Sequence, residues 1–361
     1  MTKPSAARSN NIPALDGLRG LAAVIVLVSH VSNNVGLWGG VLGHGGGQIG
    51  VMIFFVLSGY LMGFLYLDRP FNSAEVWSYA VHRGARVLPL FYTVVILALL
   101  FREIGHLTGL PMEFYNSMGH SIYLLALIEG SDVFWTIPVE IHFYAVFVGL
   151  WASYSRFGRA SIAAMICLGT VLLLINYSPL NETLIAGAPF FFCGVLISRW
   201  TAIRDRQQRF LFSAAAMASF PLALLMFPLI TVAAFRRVGY SVEPLSDEQL
   251  WHNPLCLAAA SGCLIAALCS RVMSSILSTR PMRYLGKISY GLYLLHTPVL
   301  LVLYRATRLS QWPVLFLLAT LLLSIMMATA AHQFLEAPAR RKINEFLGPK
   351  NFHLQNCIRS A

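Results

Sequence analysis

Residues 15–31 read Leu15-Asp-Gly-Leu-Arg19-Gly-Leu-Ala-Ala-Val-Ile-Val-Leu-Val-Ser-His30-Val31. A helix needs roughly 20 apolar residues to cross about 30 Å of hydrocarbon, and this run comes close to that length. A signal peptide has a similar core. Arg19 within the run argues against cleavage, and so does Asn33-Asn34 where a small-residue site would follow. The run therefore reads as an uncleaved first transmembrane helix. The same ruler applied outward finds ten spans, near 14–32, 50–67, 86–101, 134–152, 160–176, 184–199, 210–230, 254–270, 286–304 and 312–334. The apolar stretch 119–130 is short and reads as interfacial or re-entrant. The expected fold is all-α: a polytopic transmembrane helix bundle of about ten spans.

Composition agrees. The 361 residues are 57% hydrophobic and only 11% charged, against about a quarter charged in soluble domains. With a mean hydropathy of +0.67, this excludes a soluble globular enzyme, a disordered chain and a coiled coil. The net charge of +11 would suggest nucleic acid in a soluble protein. In a membrane protein it reports loops retained on the cytoplasmic side, so no nucleic-acid partner is expected. With the N-terminus inside and the spans alternating, 21 of the 26 Lys and Arg residues fall inside. The exceptions are Arg102, Arg236, Arg237, Arg305 and Arg308. Treating 119–130 as a true span would destroy this bias. Both termini thus read as cytoplasmic: a tail over 1–13, a membrane domain over 14–340 and a basic tail over 341–361. The glycine-rich loop 33–49 reads as mobile. The six cysteines show no CxxC pair and no zinc spacing. They read as small buried hydrophobes, and no metal site is expected.

An ionisable residue inside a span is expensive, so each needs a reason. Arg19 and His30 are eleven residues apart, three helical turns or about 16.5 Å, and share nearly one face. Arg19 would lie near the cytoplasmic edge and His30 toward the outer half. Either His30 makes one hydrogen bond to a neighbouring helix, or it works with Arg19. Asp16 is spaced to pair with Arg19. Ser58-Gly59 suits close helix packing. A nucleophilic Ser58 would need a base that its neighbours in sequence do not supply. Arg83 and Arg86 share the face of a helix start. Their guanidinium forks suit phosphates, although plain topology also explains them. Glu140 is the only carboxylate of its apolar run and shares a face with Tyr144. It could polarise a histidine or bond to another helix. Tyr290, Tyr293 and His296 recur every three residues on one face. Glu336 and Arg340 are spaced as a structural i,i+4 pair. Without a Walker-type glycine loop, ATP hydrolysis has no support.

Six segments then follow in a familiar order. They are Leu15-Asp-Gly-Leu-Arg19-Gly-Leu-Ala-Ala with His30, and Gly50-Val-x-Ile-Phe-Phe-Val-Leu-Ser58-Gly-Tyr60. Next come Arg83-x-x-Arg86-x-x-Pro89 and Trp135-x-x-x-Val-Glu140 with Phe143-Tyr144. The last are Leu285-Gly-x-Ile-Ser-Tyr-x-Leu-Tyr-Leu-Leu-His296 and Glu336-x-Pro338. Together they resemble acyltransferase family 3, the multipass membrane O-acyltransferases of the carbohydrate O-acetyltransferase type. The resemblance implies transfer of an acyl group, usually acetyl, from cytoplasmic acetyl-CoA or another acyl-CoA. The acceptor would be a hydroxyl on an extracytoplasmic or lipid-linked glycan. It implies a bacterial inner (plasma) membrane, no permanently bound cofactor, and membrane lipid, acyl-CoA and a saccharide as partners. It makes His30 the candidate base or transient acyl carrier, with Glu140 or Asp16 setting its tautomer. Arg19, Arg83 and Arg86 would hold the CoA phosphates. Tyr290, Tyr293, His296 and Ser58 are the candidate substrate contacts. Met52 and Ile141 depart from the family, standing where many relatives carry acids. No hydrolase-like domain of the kind fused to some members is expected, so any second transfer step would be expected to need a partner. Three alternatives stay open: acylation of a small molecule, transport or flipping of a glycan precursor, and a non-catalytic scaffold.

Overall fold

A computed structural model describes residues 12–40, 42–43, 45–108, 121–130, 132–174, 184–203 and 250–348. Among these residues there are helices and no strands. The apolar runs become α1 (Pro13–Val35), α2 (Gly46–Tyr66), α3 (Ser73–Thr108), a short α4 (Ser121–Leu125), α5 (Thr136–Phe157), α6 (Arg159–Leu174) and α7 (Leu184–Ile203). After the undescribed segment come α8 (Pro254–Cys269), α9 (Arg271–Leu277), α10 (Arg280–Lys287), α11 (Ser289–Ala306), α12 (Pro313–Ala331) and α13 (Ala337–Leu347). This is the all-α membrane bundle expected from hydropathy, and the protein is a multi-pass membrane protein.

The span count differs in detail. Among the described residues six helices are long and apolar enough to cross a membrane, or eight if two bent pairs each count as one. One pair, α8 and α9, bends by 91° at Ser270, whose hydroxyl caps the N–H of Met273 at 3.3 Å. The other, α10 and α11, bends by 73° at Ile288. The expected span at 160–176 is the 16-residue α6, short for a full crossing. The one expected at 210–230 lies outside the described residues. Stretch 119–130 yields only the five-residue α4, in line with its reading as no span. Loop 33–49 is largely helical: α1 runs to Val35, a 3-10 turn covers Leu37–Gly40, and α2 begins at Gly46.

Two close backbone contacts set the packing. α2 lies along α7, where a Cβ on Gly59 would sit 1.9 Å from the carbonyl oxygen of Phe191. Only glycine lets the two backbones meet there. Phe191 then stacks between Phe55 at 4.4 Å and Phe143 at 3.9 Å. α1 lies equally close to α10, where a Cβ on Gly286 would sit 1.9 Å from the carbonyl oxygen of Asp16. Outward from this core, α12 exposes Leu315, Leu318, Leu322 and Met326, as a lipid-facing helix does. A π-helical turn, His332–Glu336, joins α12 to α13. The Glu336–Arg340 pair expected from spacing does not form. The wider π turn carries Glu336 back to His332, whose Nδ1 lies 3.3 Å from Oε2.

Candidate active site

Two cavities open at opposite ends of α1 and α2. The first lies where α1 begins and α2 ends. Its lining includes Arg19, Ser58, Arg83, Arg86, Glu140, Tyr290 and Tyr293. Seven of the ten residues singled out in sequence therefore meet in one place. The cavity has a volume of about 60 Å³.

Each arginine is held differently. The Arg19 Nη2 donates to Asp16 Oδ1 at 2.6 Å, and its Nε donates to the carbonyl of Gly286 at 3.2 Å. Asp16 is thus the ion-pair partner of Arg19, at the far end of α1 from His30. Setting the His30 tautomer, the other role considered for it, is out of reach from there. Arg83 is only 8% exposed. Its guanidinium lies 5.7 Å from the centre of the Tyr66 ring, and its Nε has no hydrogen-bond partner among the described residues. No carboxylate pairs with Arg83 or Arg86 among those residues. A buried guanidinium with a donor left over, as in Arg83, suits an anionic ligand, phosphate above all.

Glu140 stands across the same cavity. Its Oε1 accepts from Ser58 Oγ at 3.0 Å and from Tyr144 OH at 2.6 Å. Glu140 therefore serves Ser58 and Tyr144, one helical turn away, rather than His30. The carboxylate that Ser58 lacked in sequence comes from α5. Tyr290 donates to the carbonyl of Val87 at 2.8 Å, tying α11 to α3. Tyr293 OH accepts from Thr136 Oγ1 at 3.2 Å.

The second cavity lies where α1 ends and α2 begins. It encloses about 210 Å³ and is lined by His30, Ser29, Asn33, Gln48, Asp132 and Trp135, among others. The N–H of Gly47 donates to Ser29 Oγ at 2.8 Å and closes one corner. Val51 and Tyr293 line both cavities, so the arginine cavity and the His30 cavity share part of one wall. His296, a candidate substrate contact, lines neither. It is fully buried, its ring edge-on to His30 with centroids 5.0 Å apart.

A family model for an acyltransferase domain matches residues 12–331. The chain belongs to this acyltransferase family. Curated relatives are named for related activities. It is 27% identical to the putative peptidoglycan O-acetyltransferase YrhL of Bacillus subtilis, over 91% of this chain and 55% of that protein. It is 24% identical to the peptidoglycan O-acetyltransferase OatA of Listeria monocytogenes, over 94% of this chain and 58% of that protein. It is also 24% identical to the O-acetyltransferase OatA of Staphylococcus aureus, over 92% and 57% respectively. The acyltransferase chain thus spans little more than half the length of these relatives. No solved structure matches it.

Sequence reasoning missed three residues in or beside these cavities. Thr136 follows Trp135 of a recognised motif but carries no signal of its own. Asp132 opens the 3-10 turn that leads into α5 and sits in a left-handed backbone conformation, φ 53°, rare for a non-glycine residue. Gly286 stood inside a quoted motif. Its importance as the acceptor for Arg19 shows only once α10 is against α1.

Proposed function

We propose that the chain is a plasma-membrane O-acetyltransferase that moves an acetyl group from acetyl-CoA to a hydroxyl of an extracytoplasmic or lipid-linked glycan. One observation carries this reading: Val51 and Tyr293 line an arginine-bearing cavity on one side and the His30 cavity on the other. A donor and an acceptor that approach from opposite faces of the membrane can meet across such a shared wall. Arg19, Arg83 and Arg86 bind the phosphates of the donor from the cytoplasm, where both chain termini lie. The relatives' names make a cell-wall glycan the first acceptor to test.

In this reaction His30 removes the proton of the acceptor hydroxyl as its oxygen attacks the thioester carbonyl. Tyr293, which lines both cavities, is the donor we assign to the developing tetrahedral oxygen. The carbon–sulfur bond then breaks. His30 returns the proton to the departing thiolate, so ester and free CoA leave with no net proton change.

The test is transfer of radiolabelled acetyl from acetyl-CoA in inverted membrane vesicles, comparing wild type, His30→Ala and empty vector. Label entering a glycan or lipid fraction with wild type alone is the expected result. Full transfer by His30→Ala would remove His30 from the mechanism. Glycan movement without acetyl-CoA consumption would point to a transporter.

A further inference from the structure

The chain between α8 and α11 turns aside from both helices. α8 meets α9 at 91°, and α10 meets α11 at 73°. α9 and α10 sit against the first turns of α1. A Cβ on Gly17 would lie 1.9 Å from the carbonyl oxygen of Leu277, and one on Gly20 would lie 2.7 Å from the backbone nitrogen of Gly286. α1 is long and apolar enough to cross the membrane and starts at Pro13. α9 and α10 therefore lie at the membrane face where α1 starts.

α10 has two unlike faces. Leu285 and Gly286 meet α1. Arg280, Arg283 and Lys287 are spaced i, i+3 and i+7, which puts them together on another face, and all three are exposed. No acidic residue occurs between Arg271 and Lys287. No salt bridge reaches the three cations among the described residues. Apolar surface flanks them. Val272 and Ile276, one turn apart on α9, are exposed. The Tyr284 hydroxyl lies 2.6 Å from Thr329 Oγ1, which ties α10 to the end of α12, close to the exposed Leu322 and Met326. Topology accounts for cations on one side of a membrane. It does not account for three of them on one face of a short helix, between exposed apolar groups. A phospholipid fits both parts, with a phosphate for the cations and acyl chains for the apolar surface.

We propose that the exposed face of α10 is a docking site for an anionic phospholipid. Arg280, Arg283 and Lys287 hold the headgroup, and the acyl chains lie beside Leu322 and Met326 of α12. Val272 and Ile276 anchor α9 in the same interface. Among the described residues none from α10 lines the arginine cavity, so the lipid site is separate from the donor site. It is one helix away, because α10 also supplies the Gly286 carbonyl that accepts from Arg19. The lipid site does not depend on which reaction the protein catalyses.

Native mass spectrometry of the full chain in detergent, titrated with equal amounts of phosphatidylglycerol and phosphatidylcholine, counts the lipids retained. Wild type should prefer phosphatidylglycerol. Combining Arg280→Gln, Arg283→Gln and Lys287→Gln should weaken its retention on the order of 100-fold, about fivefold for each cation near a membrane surface. Arg341→Gln with Lys342→Gln, on α13, controls for basic surface alone and should keep wild-type retention. All five side chains are exposed, so both variants should keep the wild-type Tm. Wild-type retention in the α10 variant would overturn the proposal, as would equal losses in the α10 variant and the α13 control. A loss that tracks a lower Tm would also overturn it. Displacement of phosphatidylglycerol by acetyl-CoA would overturn it too, by making α10 part of the donor site.

Discussion

Gly286→Ala offers a sharp structural test. The added Cβ would sit 1.9 Å from the carbonyl oxygen of Asp16, whereas real Cβ contacts hardly ever fall below 3.0 Å. The helices must therefore separate by the 1.1 Å between these values, because the opposing atom is backbone and cannot swing away. The Arg19 Nε contact to Gly286, now 3.2 Å, would then pass beyond hydrogen-bond reach. Tyr290 and Tyr293, a turn or two further along on α11, would leave the cavity wall with it. Overpacking of this kind costs about 1–3 kcal/mol, which the bundle should survive. A displacement of about 1 Å at reacting groups costs on the order of 10²-fold in rate. The expected result is thus a protein present in the membrane at normal levels with about one hundredth of its acetyl transfer. Radiolabel transfer in inverted vesicles measures the rate, and thermal unfolding in detergent measures the fold. Gly149→Ala on α5 is the control, because nothing lies within 4 Å of its would-be Cβ. A Gly286→Ala variant as active as that control would refute the argument that α1–α10 contact sets the geometry of the site.

Other perturbations test separate parts of the site. Arg83→Ala should raise the apparent KM for acetyl-CoA by about tenfold or more, the value of one hydrogen bond to a charged group. An unchanged KM in steady-state kinetics would count against donor binding there. Asp132→Asn should raise the KM for the acceptor and leave that for acetyl-CoA alone, and a change in the donor constant would argue against two separate cavities. Tyr144→Phe removes the 2.6 Å bond to Glu140 and should lower stability by about 1.5–3 kcal/mol, read as a drop in Tm; no drop would mean that the bond contributes nothing net.

Hydropathy alone placed the membrane helices, because crossing hydrocarbon demands a long apolar run wherever it occurs in the chain. Helical periodicity put Arg19 and His30 on one face of α1 and Glu140 beside Tyr144, since i,i+4 and i,i+11 neighbours follow from 3.6 residues per turn. Membership of an acyltransferase family was legible in six short segments for the same reason: each is local. Contacts between distant segments were not legible. Ser58 reaches Glu140 across 82 residues and Arg19 reaches Gly286 across 267. Such bonds depend on how closely helices approach and how they are rotated, and glycine contacts of backbone on backbone decide both. The bends of 91° at Ser270 and 73° at Ile288 likewise join short helices to apolar ones, a change of direction that a hydropathy window does not register. Sequence thus determined a membrane bundle and its costly polar residues. Only the tertiary structure sorted those residues into an arginine cavity and a histidine cavity, and set the His296 ring against that of His30. Which polar groups meet inside a membrane is settled by helix packing, and packing is a property of pairs of segments that no single segment encodes.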